Sequence, residues 1–214
     1  MLRLSPNGAG LHVLCLGAHS DDLELGCAGT ILRLLAEHRI ERVTWVVLSG
    51  NDERAAEADR GCRQLLEGQC DFEIRLNRFR DGYFPYTAVP IKEFFESLKA
   101  TTCPDLILTH YREDRHQDHR LTSELTYNTF RDHLILEYEV MKKDGDLGRP
   151  NTYVPLEEEM VHRKIEVLMQ VFGSQRDKTW FSEDGFLGLM RLRGIESCSP
   201  SGYAEAFYGR KLVI

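Results

Sequence analysis

Apolar and polar positions along this chain alternate between two periods, and the alternation lays out a series of strands and helices. Leu11–Gly17 is apolar at every position but His12 and is bounded by glycines, which predicts a central strand covered on both faces. From Gly26 to His38, Ile31, Leu34 and Leu35 recur at helical spacing with Arg33 and Glu37 opposite, the mark of an amphipathic helix. Arg42–Leu48 is β-branched and aromatic and reads as a second strand. Glu53–Leu66, rich in Ala, Glu and Arg, reads as a helix. Phe72–Leu76 is a third strand, Ile91–Lys99 a helix with Pro90 near its start, and Asp105–Thr109 a fourth strand that delivers His110 at its end. Past Leu121 the pattern predicts a helix over Thr122–Arg131, a strand over Leu134–Val140 and a polar loop over Lys142–Asn151. A long helix follows over Leu156–Phe172, with Val161, Ile165, Leu168 and Met169 along one stripe.

Strands alternating with helices imply βαβ crossovers, so the expected class is α/β, a mainly parallel sheet flanked by helices. No repeat, low-complexity run or linker interrupts the 214 residues, and residues 1–214 read as one domain. A dinucleotide site is set aside. The glycines after the first strand, Gly17, Gly26 and Gly29, do not form G-x-G-x-x-G, and Asp21 and Asp22 would repel a pyrophosphate.

Composition narrows the classes. The chain is 42% hydrophobic and 29% charged, as globular proteins are, and its formal charge of −7 gives no support to nucleic-acid binding. No stretch approaches the ~20 apolar residues of a membrane span. Leu11–Ala18 runs directly into His19 and Asp21 without a small-residue cleavage site, so a secretory leader is not indicated. Six scattered cysteines without a C-x-x-C pair fit a reducing compartment, and the cytoplasm is the expected location. Oligomeric state is left open, a homo-oligomer included.

Two segments, each directly after a strand, concentrate metal-binding residue types: Ala18-His19-Ser20-Asp21-Asp22, and His110 to His119, which holds three of the eight histidines. Imidazole with carboxylate suits a divalent transition ion, zinc first. Strand ends are where open α/β sheets build their sites, so the metal is expected at the C-terminal edge of the sheet. His19 and Asp22 are three apart and face the same way if a helical turn follows the strand. Asp21 then points elsewhere, within reach of a metal-bound water, as a general base must be. His116 and His119 repeat the spacing with Asp118 between them. Either all of His19, Asp22, His116 and His119 ligate, closing a structural site, or one histidine stays free and leaves a position for water.

The run from Ala18 to Thr30 (Ala-His-Ser-Asp-Asp-Leu-Glu-Leu-Gly-Cys-Ala-Gly-Thr) resembles the N-terminal motif of the PIG-L/LmbE family. That motif is written A-H-P-D-D, followed by an acidic residue and a G-G-T-like run. His116-Gln117-Asp118-His119 resembles the family's H-x-D-H motif, Asp114 fits its upstream Asp, and Tyr203–Phe207 is similar to its C-terminal A-E-A-F-like segment. The resemblance implies a Rossmann-like fold and metal-dependent removal of N-acetyl groups from N-acetylglucosamine-type amino sugars on lipids, thiols, glycopeptides or saccharides. It implies Zn2+, or another ion such as Fe2+, held by His19, Asp22 and His119. Asp21 becomes the general base, His116 the residue that stabilises the oxyanion or protonates the amine, and Asp118 the group that orients a histidine. Arg54 with Glu57 matches an R-x-x-E pattern whose Arg lies near the acyl group; the plain alternative is an i,i+3 salt bridge. Ser20 stands where proline is usual, which loosens the turn without removing a ligand.

The expected partner is a free saccharide, nucleotide sugar or glycoconjugate bearing an N-acetyl amino sugar, with acetate and a free amine as products. The rivals are a zinc amidase acting on a thiol–sugar conjugate, and a non-catalytic metal-binding module with His116 as fourth ligand. A protonated His116 favoured by Asp118 would give a bell-shaped rate profile with an alkaline limb. His110 reads as a core or supporting histidine, Trp180, Phe181 and Phe186 as core, and Asp144-Gly145-Asp146 as a mobile polar loop rather than a calcium site.

Overall fold

Leu11–Gly17 forms the central strand β1 that its apolar run predicts, in a computed structural model that describes residues 10–37 and 39–212. The chain then passes through α1 (Asp22–Ala36), β2 (Ile40–Val47), α2 (Asp52–Leu66), β3 (Asp71–Leu76) and a short 3-10 turn at Phe84–Thr87. It continues into α3 (Ala88–Thr101), β4 (Leu106–His110), α4 (Gln117–Thr129) and β5 (Leu134–Tyr138). The remainder is β6 (Thr152–Pro155), α5 (Glu158–Val171), a second 3-10 turn, α6 (Glu183–Glu196) and β7 (Ala204–Gly209).

One sheet takes all seven strands in the order β3-β2-β1-β4-β5-β7-β6. The first five pair in parallel, and β7 runs antiparallel to both β5 and β6. The sheet is therefore mainly parallel, as expected. Alternate residues of β1 feed two cores. Val13 and Cys15 pack under α1, α2 and α5, while Leu14 and Leu16 pack with Phe95, Leu98 and Leu125 of α3 and α4. No described helix is long and apolar enough to cross a membrane.

Two helices start earlier than their hydrophobic period suggests. α1 begins at Asp22, four residues before Gly26, because Asp22 complements the positive end of the helix and Leu23 and Leu25 are buried. It ends at Ala36, and His38 lies outside the described residues. α4 begins at Gln117 instead of Thr122, with the His116 ring accepting the Asp118 N–H as its cap. In both cases the added turn carries polar site residues that a search for apolar spacing passes over. β6, α6 and β7 have no counterpart among the elements the sequence predicts. β6 is only four residues long, and α6 has apolar residues on every side, so no period stands out.

Two contacts fix α1 on the sheet. Gly26 lies against Tyr138, where an added Cβ would come within 2.2 Å of the ring. Further along, Glu205 of β7 accepts from the backbone N–H groups of Gly29 (2.9 Å) and Thr30 (2.6 Å) and from the Thr30 hydroxyl (2.6 Å). Lys164 of α5 closes the network, donating to Glu205 Oε1 at 2.7 Å and to the Leu25 carbonyl at 2.6 Å. Both charges are buried, so each needs the other. Lys164→Met is expected to destabilise the protein by about 3–5 kcal/mol by leaving Glu205 without its cation. The double variant Lys164→Met/Glu205→Gln should recover part of that loss. Urea denaturation of the three proteins checks both statements.

Candidate metal centre

β1 and β4 are neighbours in the sheet, and the chain leaves them for opposite faces, α1 over one core and α4 over the other. A crevice opens at the carboxyl ends of such a pair. His19, Asp21 and Asp22 enter it from the turn after β1, His110 from the last position of β4, and Asp114, His116, Asp118 and His119 from the segment that follows. A backbone contact ties the two segments together: the Ala18 N–H donates to His110 Nε2 at 2.9 Å.

Three side chains converge on one point. His19 Nδ1 lies 3.1 Å from His119 Nε2 and 3.4 Å from Asp22 Oδ2, and His119 Nε2 lies 3.5 Å from Asp22 Oδ1. Zinc bonds of ~2.0–2.1 Å in a tetrahedral set give ligand separations of roughly 3.3–3.4 Å. The far nitrogens of both rings already face carboxylates. His19 Nε2 is 3.0 Å from Asp81 and 3.3 Å from Asp118, and His119 Nδ1 is 2.9 Å from Asp114. Neutral rings that donate their protons to those carboxylates turn lone pairs toward each other across the 3.1 Å gap. Without an ion, a proton on His19 bridges that gap, since against burial Asp22, Asp118 and Asp81 hold the His19 pKa well above its usual value. With an ion the two lone pairs become ligands, and carboxylate-backed histidines are how metal sites orient them. The donor set fits a divalent transition ion on these grounds.

Overlapping groupings also have the spacing to hold an ion: His19 with His116 and His119, Asp22 with His110 and His119, and His19 with Asp81, His116 and Asp118. His116 is held differently from the two converging histidines. Its Nδ1 accepts the Asp118 backbone N–H at 3.3 Å, which leaves the proton of a neutral ring on Nε2. Burial and the neighbouring His19 lower its pKa in spite of Asp118, whose carboxylate accepts from the Gly82 and Phe84 N–H groups and faces His19. The lowered pKa runs against the protonated His116 expected from the sequence, and the neutral ring can still donate a hydrogen bond. A cation beside it would push in the same direction.

The adjacent carboxylates diverge. Burial resists the charge on Asp22, but His119, His110 and His19 hold its pKa well below the usual carboxylate range. Asp21 is raised, by burial and then by Asp22, against the pull of Arg54. Arg54 reaches Asp21 at 3.0 Å and Asp81 at 3.6 Å. It is not in an i,i+3 salt bridge with Glu57, which instead accepts from Ser174 at 2.6 and 2.9 Å. Asp146 accepts from the Arg115 N–H at 2.7 Å and pairs with Lys142, so this loop is tied to the site.

Asp81 was missed. An Asp-Gly pair after a strand signals a turn and nothing more. Only the fold carries it to His19, which lowers its pKa to about 2 through their hydrogen bond. Trp180 packs against the core, as expected of it, but is not wholly buried there. Phe181 and Phe186 are buried, but Trp180 is half-buried and lines the cleft above the site, together with Lys142, Lys143 and Lys178.

A family model described as PIG-L: GlcNAc-PI de-N-acetylase matches residues 14–130, a span that holds every donor named above. Among solved structures, the chain resembles the N,N'-diacetylchitobiose deacetylase from Pyrococcus horikoshii. The TM-score is 0.69, with 20% identity over 93% of this chain and 83% of that one. It resembles a conserved protein from Thermus thermophilus with TM-score 0.75 and 21% identity, covering 95% and 96% of the two chains. It also resembles the zinc-inhibited form of the teicoplanin deacetylase Orf2, with TM-score 0.72 and 14% identity over 92% and 97%. At these identities the likeness is one of fold.

The arrangement predicts how metal affinity responds to substitution. His19→Ala, Asp22→Ala and His119→Ala should each lose the ion. Asp114→Ala, which frees His119 Nδ1, should weaken affinity about 10–100-fold. His116→Ala should retain the metal. Competition against a chromophoric chelator measures all five, and loss of the ion from His116→Ala would instead make His116 a ligand.

Proposed function

Because the chain belongs to the PIG-L family, whose description is that of GlcNAc-PI de-N-acetylase, we propose that it hydrolyses the N-acetyl group of an amino-sugar-containing substrate. The observation that carries this reading is Asp21, a buried carboxylate at the floor of the cleft, beside the converging donors and outside all of their groupings. We assign His19, Asp22 and His119 to the metal, with Zn2+ as the ion. The chemistry such an ion supplies when bound is polarisation of the amide carbonyl and acidification of water.

The remaining steps belong to side chains. Water adds to the acyl carbon as Asp21 takes its proton, which requires Asp21 ionised. Arg54, at 3.0 Å, favours that form against burial and Asp22. The neutral His116 ring offers its Nε2–H to the oxyanion, a role that needs no net charge. The C–N bond breaks as the proton held by Asp21 passes to the departing nitrogen, leaving acetate and a free amine. Asp118 acts through others. Its carboxylate holds the Gly82–Phe84 backbone and faces His19, which sets the cleft wall and one imidazole together.

An amine-release assay over N-acetyl sugars, nucleotide sugars and glycoconjugates tests the activity, and absence of turnover across metal-loaded enzyme on that panel would overturn it. Asp21→Asn keeps the shape without a proton acceptor, so kcat should fall about 10²–10⁴-fold with metal content unchanged.

The acid limb of kcat/KM should lie above the ordinary carboxylate range, since the Asp21 pKa is raised and activity is lost as pH falls through it. Arg54→Ala removes the cation that lowers this pKa, so the limb should move to higher pH; Arg54→Lys should hold it nearer the parent. pH–rate profiles of the three proteins decide, and a limb that stays in place in Arg54→Ala would separate Arg54 from the charge on Asp21.

A further inference from the structure

The cleft changes sign from floor to mouth. Its floor carries the buried Asp21 and Asp22; the exposed Asp81 lines the wall, and Arg54, the only arginine among the lining residues, pairs with Asp21 and Asp81. The mouth is built by two segments beyond the family match, the loop after β5 and the stretch after α5, which contribute Lys143, Lys178 and Trp180.

The lysines of this wall are not equivalent. Lys142 is neutralised by Asp114 at 3.0 Å and Asp146 at 2.5 Å, with Asp144 at 3.9 Å. Among the described residues, Lys143 and Lys178 have no carboxylate within 4.0 Å. Two unpaired ammonium groups from separate segments thus face one opening, in a chain whose formal charge is −7. Lys178 lies 5.6 Å from the centre of the Trp180 ring, a flat apolar surface beside a cation. The one acidic residue at this end of the wall, Asp144, is on the side of Lys142.

Size and sign together orient a ligand. The cleft holds about 210 Å³, less than the ~300–1,000 Å³ of drug-sized sites. One sugar ring fills it, and whatever the sugar carries emerges at the mouth. The carboxylates of the floor repel an anion, while the mouth attracts one.

We propose that the mouth is an anion subsite, in which Lys143 and Lys178 receive a phosphate or carboxylate carried by the amino sugar and Trp180 packs against its apolar atoms. The assignment of the sugar and its acetyl group to the floor rests on the deacetylase reading above. The anion preference itself rests on the two lysines.

Three matched substrates test it with metal-loaded enzyme: the methyl glycoside of N-acetylglucosamine, its carboxymethyl glycoside and N-acetylglucosamine 1-phosphate. At low salt, kcat/KM for at least one anionic sugar should exceed that of the methyl glycoside on the order of tenfold. The carboxymethyl and phosphate arms tell which anion is preferred, and the advantage should shrink as salt rises. In Lys143→Glu/Lys178→Glu the anionic-to-neutral ratio should fall below one. Equal rates on all three sugars, or a ratio that the double variant leaves in place, would overturn the subsite.

If none of the three is hydrolysed, deacetylation of simple glycosides fails while the subsite is still read by calorimetry. Asp21→Asn, metal-loaded, should bind the anionic sugars on the order of tenfold tighter than the methyl glycoside, a difference lost when Lys143→Glu/Lys178→Glu is added. Equal binding, or no binding by any of the sugars, would overturn the proposal.

Discussion

β1 and β4 run side by side although β2 and β3 separate them in the chain, and the rest of the site depends on that adjacency. Strands added outward from β1 on one side and from β4 on the other send their following helices to opposite faces, so no helix covers the seam between the two strand ends. The seam is where a backbone N–H of one segment meets an imidazole of the other, Ala18 to His110. With that contact made, residues some hundred positions apart, His19 and His119, face each other at 3.1 Å.

Charge at the seam is arranged around Asp22. Three imidazoles lie within 3.5 Å of its carboxylate, and it is almost wholly buried. An isolated carboxylate in that position would be neutral; this one is held ionised by its neighbours. The same burial acts on Asp21, one residue away, yet its nearest cation is Arg54 and its nearest anion is Asp22, so it shifts the other way. Two adjacent aspartates are thereby fitted for two tasks, one to remain a permanent anion and one to exchange a proton. Their separation comes from the turn after β1, which aims Asp22 back at the His19 N–H, 2.6 Å away, and Asp21 out toward Arg54.

Much of this is written locally in the chain. β1, β2 and β4 announce themselves because most of their residues are buried and are apolar or β-branched, and the site residues follow β1 and β4 at spacings a helical turn makes meaningful. Asp21, Asp22, His116 and His119 were legible for that reason. What was not legible is whatever depends on distant segments meeting. Asp81 sits in an ordinary turn, and Lys178 and Trp180 sit in a polar stretch between helices; nothing in their own neighbourhood says that a cleft lies beside them. The lowered pKa of His116 is not legible either, because its spacing to Asp118 suggests a carboxylate contact. The backbone N–H of that residue makes the contact instead. The outer strands β6 and β7 are short, and their pairing reverses the sheet's direction, which no βαβ rhythm foretells.

The carboxylate of Glu205 reaches the backbone of Gly29 across 176 residues of sequence. A nascent chain emerging at about 5–20 residues per second would therefore display α1, with its two aspartates and its exposed packing face, for roughly ten to forty seconds before β7 left the ribosome. During that interval His19 and Asp22 would already be outside the tunnel, joined by His119 about halfway through, while the element that anchors α1 was not. This helix is thus made well before the strand that secures it. Its interim apolar surface is the part of this protein for which a ribosome-associated chaperone would have the longest access.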